Sequence, residues 1–176
     1  YGTNSIAISY DGITWTGRGG KEDLFTFWGD GVAWNGSMWV AVGEGTNDSI
    51  ATSYDGITWT GRGKSGLTYA GYVVASNNKR EHQITMPGNL MVAVGNGSND
   101  SIATSPDGIN WTGRGKSMFS IGFGIAWNGS LWVAVGNGTH TIATSPDGIN
   151  WTGLGSTIFT SQGNNIAWNG TLWVAV

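Results

Sequence analysis

The stretch SYDGITWTGRG at Ser9–Gly19 occurs again at Ser53–Gly63, as SPDGINWTGRG at Ser105–Gly115, and as SPDGINWTGLG at Ser145–Gly155. Its tryptophans, Trp15, Trp59, Trp111 and Trp151, lie 44, 52 and 40 residues apart. A second string, AWNGSMWVAVG at Ala33–Gly43, returns as AWNGSLWVAVG at Ala126–Gly136 and as AWNGTLWVAV at Ala167–Val176. Four copies of one unit therefore fill the chain, and a period of this size marks a repeat fold. In the second copy, Gly71–Asn78 aligns with Gly122–Gly129, and Ser76 takes the place of a tryptophan. The extra length then falls in one hairpin, as an insertion at about 79–88.

Each copy reads as four short strands. In the third and fourth copies these are Gly124–Asn128, Leu131–Gly136, Thr141–Ser145 and Ile149–Gly153. β-Branched and aromatic residues fill them, as strands prefer. Asn-Gly separates the first strand from the second, a hairpin signal. Asp-Gly separates the third from the fourth, preceded by Pro in two copies, which suits a tight turn. No segment carries helical periodicity over a useful length. Four antiparallel strands in each unit point to an all-β, four-bladed β-propeller made of four-stranded antiparallel blades. The chain opens in the third strand of a unit and stops in the second. The expected ring is closed by N- and C-terminal strands sharing one blade, with residues 1–176 as a single domain. The rival is half of an eight-bladed ring built by two chains.

Composition narrows the function. Only 11% of residues are Asp, Glu, Lys or Arg, and the net charge is −3. That mild acidity argues against a nucleic-acid partner. No apolar run of 18 residues exists, so no membrane insertion is expected. The absence of cysteine removes disulfides, thiolate metal sites and thiol nucleophiles. The chain starts at Tyr1 without Met or a signal-like segment, and is expected to be a processed product or part of something larger. Leu, Ile, Val and Phe are scarce, so the 11 tryptophans are expected to supply much of the core. Trp28 has no counterpart in the other copies and reads as a stacking platform for a sugar ring.

The S-x-D-G-x-x-W pattern resembles the Asp-box, or BNR, repeat of sialidase-like propellers, in a shortened form with one residue fewer between Asp and Gly. The resemblance rests on Ser9, Asp11, Gly12 and Trp15 and on the matching residues of the other three copies, so it covers the whole chain. It implies a propeller. It also implies that Asp11, Asp55, Asp107 and Asp147 are structural turn residues that accept backbone N–H bonds. The family includes glycosidases, lectin-like modules and interaction scaffolds. A sialidase needs an arginine cluster, a Tyr–Glu nucleophile pair and an acid/base Asp. The four arginines and three glutamates here form no such context.

Strand alternation sorts the loops onto two faces. One face gathers the loops between second and third strands and the connections between units. It holds Arg18, Arg62 and Arg114 at equivalent positions, with Leu154 as the fourth. Lys21, Lys64 and Lys116 lie close by. Opposite them stand Asn47, Asp48, Asn99, Asp100 and His140. Together with Trp28 these are the ligand-binding candidates, an anion or glycan mouth with arginine forks. The insertion adds Lys79, Arg80, Glu81 and His82 as a candidate partner-binding finger. Two histidines in different copies make no zinc site, and neither a metal nor a cofactor is expected. The sequence is thus read as a non-catalytic module that binds or displays a protein or glycan. The alternatives are a lectin with equivalent sites on its blades and a sialidase-like glycoside hydrolase.

Overall fold

The computed structural model describes residues 4–20, 24–77 and 89–176. Its described residues form strands and turns, with no helix. The order is β1 (Asn4–Ile8), β2 (Thr16–Gly20), β3 (Trp28–Trp34), β4 (Trp39–Glu44), β5 (Ile50–Ser53), β6 (Thr60–Gly61), β7 (Ala70–Ser76) and β8 (Met91–Asn96). It continues with β9 (Ile102–Ser105), β10 (Thr112–Gly113), β11 (Ile121–Trp127), β12 (Trp132–Asn137), β13 (Ile142–Ser145), β14 (Thr152–Gly153), β15 (Ile166–Trp168) and β16 (Trp173–Ala175). Three four-stranded antiparallel sheets result, β3–β6, β7–β10 and β11–β14, each a simple meander. Two-stranded sheets, β1–β2 and β15–β16, stand at the ends of the chain as separate sheets. The first strands pack in a row, β3 on β7, β7 on β11, and β11 on β15, and β1 touches β3.

The second copy adopts the expected alignment. Ser76 pairs with Met91 where Trp127 pairs with Trp132, and both sheets carry the same bulge. The insertion between β7 and β8 lies outside the described residues. In the three complete sheets the fourth strand is shorter than its sequence suggests, only Thr-Gly, because the three residues before it belong to the preceding turn, whereas β2 runs over Thr16–Gly20.

The Val-Ala-Val run of each second strand explains how the sheets stack. Alternate residues point to opposite faces, and here both faces are covered. Val40 and Val42 of β4 pack with Met91 and Ala93 of β8, beside Leu67, Val74 and Ala103. Val92 and Val94, on the other face of β8, pack with Ile125, Trp132, Ala134 and Phe119. Large side chains of one sheet thus meet small ones of the next. Each buried aliphatic side chain contributes roughly 1.5–3 kcal/mol.

The tryptophans differ from expectation. Trp132 is fully buried, but Trp15, Trp28, Trp34 and Trp39 are exposed. The interior is built chiefly from Val, Ile, Ala, Met and Phe. Trp34–Trp39, Trp127–Trp132 and Trp168–Trp173 form tilted cross-strand pairs with ring centroids 5.1, 4.9 and 5.0 Å apart. They brace hairpin ends, and in the β11–β14 sheet Trp132 also fills the interior. The turn tryptophans donate through Nε1 to a carbonyl of their own turn, as Trp111 does to Gly108 at 2.9 Å.

Candidate functional site

The repeated aspartates hold the turns, as the sequence implies. Asp107 Oδ1 accepts the N–H groups of Ile109 and Asn110, both at 2.8 Å, and the Ser105 hydroxyl at 2.9 Å. Gly108 donates to Ser105 Oγ at 2.8 Å, with φ +78°. Only glycine adopts that conformation without strain. The same set recurs around Asp11, Asp55 and Asp147. Three donors on one oxygen favour the ionised form. The N–H bonds of Thr58 and Ile57, then the Ser53 hydroxyl, hold Asp55 down at about 2. At Asp107 slight burial works upward, but the bonds from Asn110 and Ile109 outweigh it and leave it at about 2.

The opposite face holds the ligand-binding candidates, and most of them are engaged within the repeat. Asp48 Oδ1 accepts the N–H of Gly63 at 2.6 Å, and Asp100 Oδ1 that of Gly115 at 2.6 Å. His140 Nδ1 accepts the N–H of Gly155 at 3.0 Å, which puts its proton on Nε2. These three side chains lie flat over Gly61, Gly113 and Gly153, where a Cβ would collide with them. That contact explains why Thr-Gly recurs in every copy. Arg62 Nε donates to Thr52 Oγ1 and Arg114 Nε to Thr104 Oγ1, each at 2.8 Å. Arg18 Nε is buried with no acceptor among the described residues, since Ile8 stands where the other copies have threonine. Lys116 Nζ donates to the carbonyl of Gly97 at 2.6 Å. Asn47 and Asn99 are exposed on their loops. Lys21, Lys79, Arg80, Glu81 and His82 lie outside the described residues.

What this face does gather is a group the sequence reading passed over. The first strands of the three complete sheets each carry a β-bulge, between Gly29 and Gly31, Gly71 and Val73, and Gly122 and Gly124. The extra residues are Asp30, Tyr72 and Phe123. A bulge redirects one side chain out of the alternation, and bulges recur next to functional sites. The Tyr72 and Phe123 rings stack with centroids 5.9 Å apart and planes at 26°. Asp30 is pushed above the usual carboxylate range by burial, then by the charge of Glu44. Tyr72 is pushed up by burial, then by Glu44 and Asp30. Glu44 pairs in register with Trp28, which packs on Phe27 at 5.9 Å. Trp28 thus stands across the strand pair from Glu44, with Phe27 as its ring neighbour.

The row has a signature in the chain itself. Asp30, Tyr72, Phe123 and Asn164 are equivalent positions with four different side chains. Their neighbours Gly29, Gly71, Gly122 and Gly163 are identical, because the preceding sheet leaves no room for a Cβ. Packing holds the glycines constant while the bulge position is free to differ. Chemically, the mouth offers aromatic faces for stacking and carboxylate oxygens as acceptors for hydroxyl or cationic donors. Among the described residues no three acidic or histidine side chains gather into a metal-ligand set.

No family model matches the chain, and no curated protein matches it. Among solved structures, it is similar to the crystal structure of a computationally designed protein, Ika8, at 12% identity and a TM-score of 0.54. The match covers 86% of this chain and 44% of that one, so the chain spans under half the length of the structure it resembles. At this identity the likeness concerns the fold alone: an all-β array of antiparallel sheets.

Proposed function

We propose that the chain is a non-catalytic binding module of the β-propeller type, which recognises a glycan or a protein at the mouth formed by Asp30, Glu44, Tyr72, Phe123 and Trp28. In this reading the terminal strand pairs are halves of one shared blade, and the repeated turns are short relatives of the Asp-box. One observation carries the assignment: the bulges turn a different side chain out of each first strand and bring Tyr72 onto Phe123 near Asp30 and Glu44. The same observation favours one asymmetric mouth over equivalent lectin sites on every blade. It also lowers the sialidase alternative, because Arg62 and Arg114 spend their Nε donors on threonines within the repeat. Among ligands, a sugar fits best. Stacked aromatics bind its apolar face, and a carboxylate pair accepts its hydroxyls.

A glycan array on the purified chain, followed by titration of any hit, tests the reading. Tyr72→Ala is expected to weaken a genuine hit at least tenfold. Asp30→Asn should weaken it too while leaving the chain at least as stable at neutral pH, since burial disfavours the Asp30 charge. A hit that survives both substitutions places binding elsewhere. An array blank for every sugar class removes the glycan reading and leaves a protein ligand.

A further inference from the structure

We propose that the cleft beside β1 receives the β15–β16 strand pair of a second copy, so that two copies join head to tail into one ring of eight sheets. The inference rests on the propeller reading and names the partner that completes its shared blade. The cleft holds about 630 Å³ and is lined chiefly by apolar side chains, among them Ile6, Ile8, Phe25, Val32, Trp39 and Trp59. Among the described residues β1 pairs with β2 alone, and β16 with β15 alone.

The complete junctions show what is missing. Between successive sheets a valine sits on a glycine of the next first strand. A methyl on Gly71, Gly122 or Gly163 would lie 2.7, 2.7 or 2.9 Å from the Cβ of Val42, Val94 or Val135. At Gly29, the fourth member of that row, the nearest described atoms are instead the Ser5 carbonyl and a Phe25 ring carbon. The valine at the matching place in the sequence is Val176, which is 62% exposed. Its neighbour Val174 is 52% exposed, whereas the equivalent Val40 and Val92 are at 0%. The receiving face is bare in the same way. Val32 is 58% and Trp39 38% exposed, against 4% and 0% for their equivalents Ile125 and Trp132.

The register follows from the three complete sheets. Trp132 pairs with Ser145, Val133 with Thr144, Ala134 with Ala143 and Val135 with Ile142, and β4–β5 and β8–β9 repeat the pattern. Carried over, it sets Trp173 against Ser9, Val174 against Ile8, Ala175 against Ala7 and Val176 against Ile6.

Two observations choose a second copy over the chain's own end. Within one chain these strand pairs are separate sheets at opposite ends of the row of first strands. The designed structure of the same fold matches 86% of this chain over only 44% of its own, so it is nearly twice as long. The part of that array outside the match is about as long as one more copy of this chain.

Light scattering on the chain should give about 37 kDa, twice its 18.5 kDa. Val174→Asp should return it to the single-chain mass. Cysteine trapping then identifies the partner, since the chain has no cysteine of its own. Mixed under oxidising conditions, an Ala7→Cys chain and an Ala175→Cys chain should link as a heterodimer, and the double variant as a doubly bonded dimer. The positive control is Ala41→Cys with Ala51→Cys, an equivalent pair inside a complete sheet. A double variant that closes on itself as a monomer overturns the second copy but keeps the shared blade. No link at all, with the control linked, overturns both.

Discussion

The junction between the β7–β10 and β11–β14 sheets and the open end at β3–β4 are written in nearly the same sequence and present opposite surfaces. At the junction Trp132 is enclosed by Val92, Val94 and Ile102. At the open end Trp39, in the same motif, has only Trp34 as a ring partner among the described residues. Burial here belongs to the neighbouring sheet, not to the repeat. The largest expected effect separates the two sites. Trp132→Ala should cost about 3–5 kcal/mol, as emptying a filled aromatic site does. Trp39→Ala in the isolated chain should cost less, about 2 kcal/mol, since more than a third of the residue is already in water. Urea midpoints at low protein concentration measure both. Where copies join, the gap should narrow as concentration rises, because the second copy covers Trp39. Equal costs at every concentration would mean that the β3–β4 face is covered within one chain.

A second contrast runs between the two kinds of acid. Asp107 at a turn accepts four hydrogen bonds, whereas Asp30 at the mouth is exposed yet held above the usual carboxylate range by partial desolvation and then by Glu44. Asp107→Ala should cost on the order of 1–2 kcal/mol, mostly from N–H groups left without their acceptor. The pH response follows the same division. Asp55 and Asp107 titrate at about 2 in the folded chain, below the ordinary unfolded value of about 3.9. As pH falls, the unfolded state takes up protons first. The stabilisation is therefore complete above about pH 5 and is lost between about pH 4 and pH 2. Thermal melts should be flat from pH 5 to 7 and should fall steeply below pH 4. Replacing the turn aspartates by asparagine, which keeps an acceptor, should flatten that fall.

The turns were readable from sequence because their geometry is local: Ser, Asp and Gly within four residues satisfy one another. Strand positions were readable because turn signals repeat. The mouth was not. A bulge shifts Asp30, Tyr72 and Phe123 out of the two-residue alternation, so a period-based reading assigns them to the wrong face. Comparing WGDGVAW, AGYVVAS and IGFGIAW position by position would have exposed the row. Polar loop residues misled for the opposite reason. Asp48, Asp100 and His140 look available until the N–H groups of Gly63, Gly115 and Gly155 are placed on them. The tryptophans misled because every copy was assumed to have neighbours on both sides.

The smallest expected effect lies in the arginine row, and it isolates one hydrogen bond. In the second and third copies a threonine accepts from the arginine Nε at 2.8 Å. In the fourth, Thr144 remains but Leu154 replaces the arginine, so no donor is stranded. In the first, Arg18 is present and its buried Nε has no acceptor among the described residues, because Ile8 occupies the threonine position. Ile8→Thr should supply that acceptor. A net hydrogen bond contributes about 0.5–1.5 kcal/mol, more when a charged donor was unsatisfied, but the change removes apolar surface from a half-exposed site. The balance predicts a small gain, on the order of 0.5 kcal/mol, read as a higher urea midpoint. The mirror change, Thr104→Ile, strands Arg114 and should lose about 1 kcal/mol or more, because it also alters a buried site. Opposite signs at the two positions would establish the Arg–Thr bond as the cause. Two losses would mean that the Ile8 side chain matters more as part of the cleft wall than the bond does, as expected if a second copy packs against it.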